Sequence, residues 1–188
     1  MEQHTAWFSA VTGVPVRLLC FADTARREVD RAYVGESGDH VTAFSDGYPA
    51  LLASEASMAA LNAKLGTAVS ITRFRANIIL GDGNSESDAW AEDSWDEFQL
   101  GQLRFKCVKP CSRCVVPSLD PETGERGDEP NETMVTFRTG SHLGFVSKSS
   151  AENFTHAIFM GQNIVWPQDQ LGKALNVGDS LTVISKRV

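Results

Sequence analysis

The feature that most constrains the fold of this chain is one short segment in which apolar and charged residues alternate strictly. Leu103, Phe105 and Cys107 occupy every second position there, and the residues between them are cations. This is the period of a strand that is buried on one face only. Other apolar segments are equally short, and turn signals such as SDGYP at 45–49 separate them. Short strands with few helices predict a mostly β fold, either a barrel or a sandwich.

The strongest helix signal lies before this segment. Ser54 is a predicted N-cap, and Gly66 is the predicted C-terminal stop. Met58, Leu61 and Leu65 fall on one face between them. A first helix is predicted with Thr5 as its cap and Gly13 as its stop, and residues 22–42 are predicted to form an exposed polar segment, an excursion from the fold. The alternating strand is predicted to end at Pro110. Further strands are predicted at 15–21, 68–74, 77–80, from 158 and within 174–185.

Composition and charge narrow the function classes. The net charge of −7 argues against non-specific nucleic-acid binding, which needs a basic surface. A hydrophobic content of 42% over 188 residues supports one core and a single domain. The sequence has no apolar run near the ~20 residues that span a bilayer. It also has no recognisable secretion signal, so we expect a cytoplasmic protein with neither nucleic acid nor membrane as a partner.

The main functional question is what kind of site is formed by two cysteines three residues apart, in KPCSRC at 109–114. A thioredoxin-like redox pair needs a helix after the motif, but two prolines and a glycine follow within ten residues. A structural zinc site needs a second pair of ligands, whereas Cys20 and Cys107 are isolated and the histidines are scattered. Two buried thiols without chemistry, or one thiolate ligand beside a spare thiol, remain open.

Charge favours a ligand site at this motif. Between residues 98 and 119 the chain carries no acid, and its cations there are Arg104, Lys106, Lys109 and Arg113. Cations near a thiol favour the thiolate and also attract an anionic ligand. A soft thiolate in a basic pocket suits a soft or high-valent metal that an anionic cofactor carries. A solvated strand face is the alternative interpretation for Arg104 and Lys106.

An acidic segment precedes this region. Seven acids and no base lie between Asp82 and Glu97. Their spacing does not match a DxDxDG calcium loop, so we predict a solvated loop. Trp90 and Trp95 within it are predicted to pack or to anchor the loop rather than to stack on a substrate.

Six segments, in one order, resemble the MOSC domain family, which is named after the C-terminal part of molybdenum cofactor sulfurase. The likeness is greatest to the branch of the mitochondrial amidoxime-reducing component and of bacterial relatives that reduce N-hydroxylated bases. It runs from about residue 6 to residue 186. FRxN, a tryptophan-centred acidic box, CSRC and DPxTG together make it specific. The segments are YPALLASEASMAALNAKL, FRANIIL, AEDSWDEFQLGQLRFKCVKPCSRC, DPETG, FMGQN and NVGDSLTV.

The resemblance implies a MOSC-type β-barrel that holds molybdenum on one pyranopterin dithiolene, the molybdenum cofactor. It implies that the thiolate of Cys114 ligates the metal and is the catalytic residue, with Cys111 as a neighbour. Arg75 and Arg113 are implied cofactor contacts, and a guanidinium fork suits the cofactor phosphate. The other implied contacts are Ser112, Asn77, Asn163 and, through the backbone, Gly47 and Tyr48. An asparagine at position 163 favours a bacterial type.

The implied function is the two-electron reduction of a small N-hydroxylated substrate, R–NHOH to R–NH2 and water, with electrons from a separate ferredoxin- or flavin-type protein. The alternative is a non-catalytic carrier of the cofactor, or of sulfur as a Cys114 persulfide. A plain Cys111–Cys114 disulfide oxidoreductase is a third hypothesis, and pyridoxal phosphate binding is a further family-level expectation. Relatives carry a preceding β domain that this chain is expected to lack, so we expect it to fold alone but to hold the cofactor weakly.

Overall fold

The computed structural model describes residues 2–35, 40–81, 88–145, 147–148 and 153–187. In this part of the chain six strands form one curled sheet with the shape of a half-barrel. The predicted mostly β fold of the barrel type is therefore confirmed. The strands are β1 Ala50–Ser54, β2 Ile78–Leu80, β3 Trp95–Leu100, β4 Leu103–Ser112, β5 Phe159–Val165 and β6 Leu181–Lys186.

Short helices accompany the sheet in the described ranges. They are α1 Glu2–Thr12, α2 Arg31–Val34, α3 Glu55–Asn62, α4 Asn131–Val135 and α5 Gly140–Leu143. No helix among the described residues has both the length and the apolar character that crossing a membrane requires.

The strands run in the order β2-β1-β5-β4-β3-β6, with β1 and β2 parallel and the other neighbours antiparallel. Successive residues of β5 point to opposite faces of the sheet. Ile164 packs in the main core with Phe98, whereas Val165 packs in a second cluster with Tyr33. Tyr33 is only 4% exposed, so the prediction that residues 22–42 form an exposed excursion is wrong at α2, which covers the outer face.

The helix predicted from Ser54 is confirmed. The Ser54 hydroxyl accepts hydrogen bonds from the second and third residues that follow it, which satisfies free amides of the first turn. Met58 and Leu61 are buried, as their spacing predicts. The helix ends at Asn62, four residues before Gly66, because the Asn62 side chain bonds both backbone groups of Val69 at 3.0 and 2.9 Å and turns the chain there.

The predicted N-terminal helix is confirmed, but it begins at Glu2, before the predicted cap Thr5. The Thr5 hydroxyl instead accepts a hydrogen bond from the amide of Leu18 at 3.2 Å. Gly13 follows the last helical residue with a φ of 70°, in agreement with the predicted stop. The strand predicted at 15–21 is wrong, because hydroxyls of α1, and not a neighbouring strand, hold amides of this exposed segment.

The strand predicted at 68–74 is also wrong. Its second half is a 3-10 turn, Ile71–Phe74, and the Ser70 hydroxyl caps it by accepting from the amide of Thr72 at 3.2 Å. Arg75 ends the turn in the left-handed conformation, with a φ of 57°. The strand predicted at 77–80 is confirmed as β2. Arg75 therefore lies on a turn at the entrance to β2 rather than within a strand.

Strand β4 confirms the alternation from Leu103 to Cys107 but does not end at Pro110. It continues to Ser112 because its pairing with β5 shifts register on either side of the proline, which lacks an amide to donate. Strand β3 has no counterpart among the predictions. A register shift after Trp95 lets both Trp95 and Phe98 face the core, which removes the simple alternation that predicts a strand. The predicted packing role of Trp95 is confirmed at 1% exposure.

The acidic segment is not simply a solvated loop. Glu92 is 1% exposed, and its carboxylate accepts from the Ser57 hydroxyl at 2.7 Å. Asp93 pairs with the buried Arg138 at 2.6 Å and accepts from Gln162 at 2.8 Å. The prediction of a solvated loop is therefore wrong for these two acids, because Glu92 binds the 3-10 turn Ala91–Ser94 to α3 and Asp93 binds it to β5. Residues 82–87, with two of the predicted loop acids, lie outside the described residues.

We predict that replacing Glu92 with glutamine flattens the pH dependence of stability. Burial raises the pKa of Glu92 above its usual range, so the folded state binds a proton more tightly than the unfolded chain. This contribution is present below the ordinary carboxyl pKa and is lost as pH rises through the folded pKa. The free energy of unfolding, measured by denaturant titration between pH 4.5 and 8, should fall less in Glu92→Gln than in the wild type. A larger fall in the variant would contradict this origin.

Candidate functional site

Parallel pairing of β1 and β2 brings two predicted cofactor-binding segments to one edge of the sheet. Gly47 and Tyr48 precede β1, and Arg75 and Asn77 precede β2. The Asn77 side-chain oxygen accepts from the amide of Leu51 at 2.9 Å, and the Asn77 amide donates to the Leu51 carbonyl at 2.9 Å. These bonds fix the two segments together, and they leave the Nδ2 group of Asn77 as the group that a ligand could use.

The CSRC segment joins the same place from the end of β4. Ser112 is the last residue of that strand, and the Arg113 amide donates to the carbonyl of Ile158 at 2.8 Å. The Arg113 guanidinium donates from Nη2 to the carbonyl of Phe74 at 2.8 Å. Because Phe74 directly precedes Arg75, this bond connects the cysteine motif to the turn that carries the second predicted arginine.

A second contact brings the DPETG segment to that turn. Arg73 donates to the Asp120 carboxylate at 2.9 Å and to the Pro117 carbonyl at 3.4 Å. Hydrogen bonds from the backbone amides of Thr123 and Glu122, together with Arg73, hold the pKa of Asp120 below its usual range. The segments FRAN, CSRC and DPETG, which are separate in sequence, therefore form one cluster.

The two cysteines of the motif differ in exposure. Cys114 is exposed, and its carbonyl accepts from Nδ2 of Asn131 at 2.9 Å. Cys111 is half-buried, and its sulfur accepts from Nη1 of Arg113 at 3.1 Å. Burial raises the pKa of Cys111 although Arg113 opposes this effect, so Cys111 is a neutral thiol at neutral pH. Within the pair, Cys114 is thus the thiol that can reach an external ligand.

The predicted basic pocket is smaller than the count of cations suggests. Lys106 lies 3.7 Å from Asp96 at the surface. Lys109 is 7% exposed, and its ammonium lies 4.5 Å from the ring centres of both Tyr33 and Phe154. These contacts are cation–π interactions in a closed aromatic layer. Lys109 is therefore not part of an open cationic surface, Lys106 is at the surface with an acid beside it, and Arg113 is the cation of this run that contacts the cluster.

The predicted contacts Asn163 and Tyr48 lie on the outer face of the sheet. Asn163 is paired with Leu51 on one side and Lys109 on the other, and its Nδ2 group approaches the Pro110 carbonyl at 3.5 Å. Tyr48 is 9% exposed and its ring lies 5.8 Å from the Lys109 ammonium. The Tyr48 side chain thus belongs to the packed layer, and the backbone at Gly47 and Tyr48 is the part that a ligand could reach.

Two polar atoms of the cluster are buried and have no hydrogen-bond partner in the described part of the chain. They are Nε of Arg113 and Oδ1 of Asn131. An unpaired buried donor on a cation is costly, so it indicates a group that the protein is shaped to bind. Together with the exposed Arg75 and the exposed thiol of Cys114, the Nε donor of Arg113 fits an anionic group of a cofactor that carries a soft metal. Oδ1 of Asn131 is an acceptor, so it suits an N–H or O–H group of a ligand instead.

Sequence reasoning missed two members of this cluster. Asn131 lies in a segment with no recognisable motif, and its bond to the Cys114 carbonyl depends on tertiary structure. Phe74 looks like an ordinary apolar residue, yet its carbonyl and ring both contact the Arg113 guanidinium, the ring at 5.5 Å from Cζ. The position of Phe74 within FRxN was the one signal that could have found it.

A family model described as MOSC domain matches residues 39–182. "Mitochondrial amidoxime-reducing component 1" of Xenopus laevis is 33% identical over 191 residues, which covers 99% of this chain and 52% of the relative. The protein of the same name from Homo sapiens is 45% identical over 97 residues, 51% of this chain and 28% of the relative. "Mitochondrial amidoxime reducing component 2" of Rattus norvegicus is 36% identical over 143 residues, which covers 73% of this chain and 41% of the relative. The chain spans about half or less of the length of these curated relatives.

We predict that brief alkylation of the metal-free protein at pH 8 labels Cys20 and Cys114 and spares Cys107 and Cys111. The first two thiols are exposed, whereas burial raises the pKa of Cys111 and raises that of Cys107 to about 12. Iodoacetamide reacts with the thiolate, so both burial and pKa protect the second pair. Peptide mass mapping measures the labelling, with denatured protein as the control in which all four cysteines react. Equal labelling of Cys111 and Cys114 would contradict the assignment.

Proposed function

This chain belongs to the MOSC domain family, and from that membership and the geometry of the site we propose that it binds the molybdenum cofactor and forms the reductase domain for N-hydroxylated compounds. One observation carries the proposal: an exposed thiol, Cys114, directly follows an arginine whose buried Nε–H has no partner among the described residues. The match to amidoxime-reducing components supports the substrate class.

In this proposal Cys114 is the protein thiolate that ligates molybdenum. Arg113 through Nε and Arg75 through its exposed side chain contact the anionic part of the cofactor, where charge-assisted hydrogen bonds are strongest. Asn77 contributes its Nδ2 group, because its oxygen already bonds Leu51. Ser112, Asn163 and the backbone at Gly47 and Tyr48 complete the proposed contacts.

The cofactor, when bound, would supply the metal and transfer the two electrons that, with two protons, convert R–NHOH to R–NH2 and water. The residues of this chain bind and orient it, and the exposed position of Cys114 leaves room for a small substrate beside it. We propose that a separate ferredoxin- or flavin-type protein supplies the electrons, and that the protein acts in the cytoplasm. The exposed thiol also suits a second candidate, a non-catalytic carrier of the cofactor or of sulfur as a persulfide.

We predict that Cys114→Ser abolishes molybdenum retention, whereas Cys111→Ser largely preserves it. A serine oxygen is a harder and much less acidic ligand than a cysteine sulfur, and its bond to Cβ is shorter, so it replaces the thiolate poorly at position 114. At position 111 a hydroxyl can still accept the bond from Arg113. Molybdenum per protein, measured by mass spectrometry after expression in a host that makes the cofactor, tests both variants.

The same preparations separate the candidate functions. Wild-type protein with molybdenum should reduce a hydroxylamine or amidoxime when a chemical electron donor is present. Molybdenum without turnover would favour the carrier, and equal metal loss in the two serine variants would favour a paired-thiol site.

We predict that Arg75→Leu lowers cofactor affinity by about tenfold to a hundredfold without changing the melting temperature of the metal-free protein. Arg75 is exposed, so its loss removes about 1.5–3 kcal/mol of charge-assisted hydrogen bonding to the ligand and little else. Molybdenum retained after dialysis and thermal unfolding of the metal-free form measure the two effects. Arg104→Leu, on an exposed position of β4, is the matched control and should change neither.

A corresponding change at Arg113 should behave differently. Its guanidinium bonds the carbonyl of Phe74 and the sulfur of Cys111, so Arg113→Leu also destabilises the metal-free fold. A fall in melting temperature as large for Arg75→Leu as for Arg113→Leu would assign Arg75 a structural role instead.

A further inference from the structure

The Arg113 guanidinium is held in place before any ligand binds. Nη2 donates to the Phe74 carbonyl at 2.8 Å, and Nη1 donates to the Cys111 sulfur at 3.1 Å. The guanidinium carbon lies 5.5 Å from the centre of the Phe74 ring. The backbone amide of Arg113 is fixed as well, by the carbonyl of Ile158 at 2.8 Å. Both ends of this long side chain are therefore restrained.

Cys111 is suited to this restraint by its own surroundings. Its sulfur is the acceptor for Arg113 and lies 3.7 Å from the Ser112 carbonyl, to which its S–H can donate. A thiol that donates one bond and accepts another has a defined orientation. Burial keeps this thiol neutral by raising its pKa, so it orients the cation without cancelling the charge of the cation.

The restraint determines the position of the Nε–H donor of Arg113. A guanidinium is planar, and its N–H groups have fixed relative directions. When Nη1 and Nη2 are both bonded, the direction of the Nε–H bond is set, and this is the donor that is buried without a partner among the described residues. Removing the bond at Nη1 leaves the Phe74 carbonyl as a single pivot, about which the side chain can turn.

We propose that Cys111 is a positioning residue, whose sulfur holds the Arg113 guanidinium so that Nε–H is preorganised for an anionic group of the bound ligand. The identity of that ligand rests on the proposed function, whereas the restraint of Arg113 does not. Preorganisation raises affinity because the ordering of a flexible side chain does not have to occur on binding.

The test compares Cys111→Ala, Cys111→Val and Cys111→Ser. Alanine removes the acceptor, valine removes it while filling the volume, and serine retains it. In metal-free protein, the Arg113 Nε–H signal in a nitrogen–proton NMR spectrum reports the restraint through its rate of exchange with water. We expect exchange several-fold faster in the alanine and valine variants, and close to the wild-type rate in the serine variant. Cys107→Ala is the matched control, because it truncates a buried thiol of the main core and should leave this signal unchanged.

Molybdenum content of the same variants supplies the second measurement. Loss of the preorganised donor should lower retained molybdenum on the order of tenfold in the alanine and valine variants, with rescue in the serine variant. Unchanged Nε–H exchange in both apolar variants would overturn the positioning role. Faster exchange with unchanged molybdenum would support the restraint but show that Arg113 does not serve the cofactor, and the proposed function would then need another anchor.

Discussion

The hydrogen bond from Arg113 to the Phe74 carbonyl is the interaction on which the candidate site depends. It joins the end of β4 to the turn before β2, two places that the sheet order alone does not bring together. A partly buried cation without a carboxylate partner needs polar atoms around its buried donors. Here a carbonyl, a thiol and an aromatic ring provide those contacts, and one donor stays unpaired among the described residues. The fold therefore keeps one buried N–H donor of Arg113 unpaired among the described residues, next in sequence to the exposed thiol of Cys114.

A different polar network supports the strand that carries Asn163. Asp93 bridges the buried Arg138 and Gln162, and the guanidinium of Arg138 lies 4.0 Å above the ring of Trp90. Such buried pairs contribute little net stability compared with apolar packing, but breaking one is strongly destabilising. A slip of β5 by one residue would exchange Gln162 with Asn163 across the sheet and leave Asp93 and Arg138 without their partners. The network thus specifies the register that presents Asn163 on the outer face.

How much could be predicted from the sequence depended on whether the decisive interaction was local. The helix that Ser54 caps and the alternation in β4 could be predicted, because a cap and an alternating pattern depend on residues close in sequence. The strand predictions at 15–21 and 68–74 were wrong, because side-chain hydroxyls bond the backbone amides there in place of a neighbouring strand. The family resemblance predicts that Arg75, Asn77 and Arg113 contact a cofactor, and these roles stay predictions. The structure shows that the FRAN and CSRC segments meet, through the bond from Arg113 to the Phe74 carbonyl. Asn131 and the aromatic surroundings of Lys109 could not be predicted, because contacts distant in sequence create them.

The charge distribution shows what kind of recognition this site can support. The chain carries a net charge of −7, so its long-range field repels an anionic ligand rather than attracting it. The local run of cations offers few direct contacts to a ligand, because Lys106 lies beside Asp96 and the Lys109 ammonium is enclosed by rings. Affinity for an anion must therefore come from short contacts of fixed direction, which act within a few ångströms and are little affected by the overall field. That requirement explains why the orientation of one guanidinium, held by Phe74 and Cys111, matters more here than the number of basic residues.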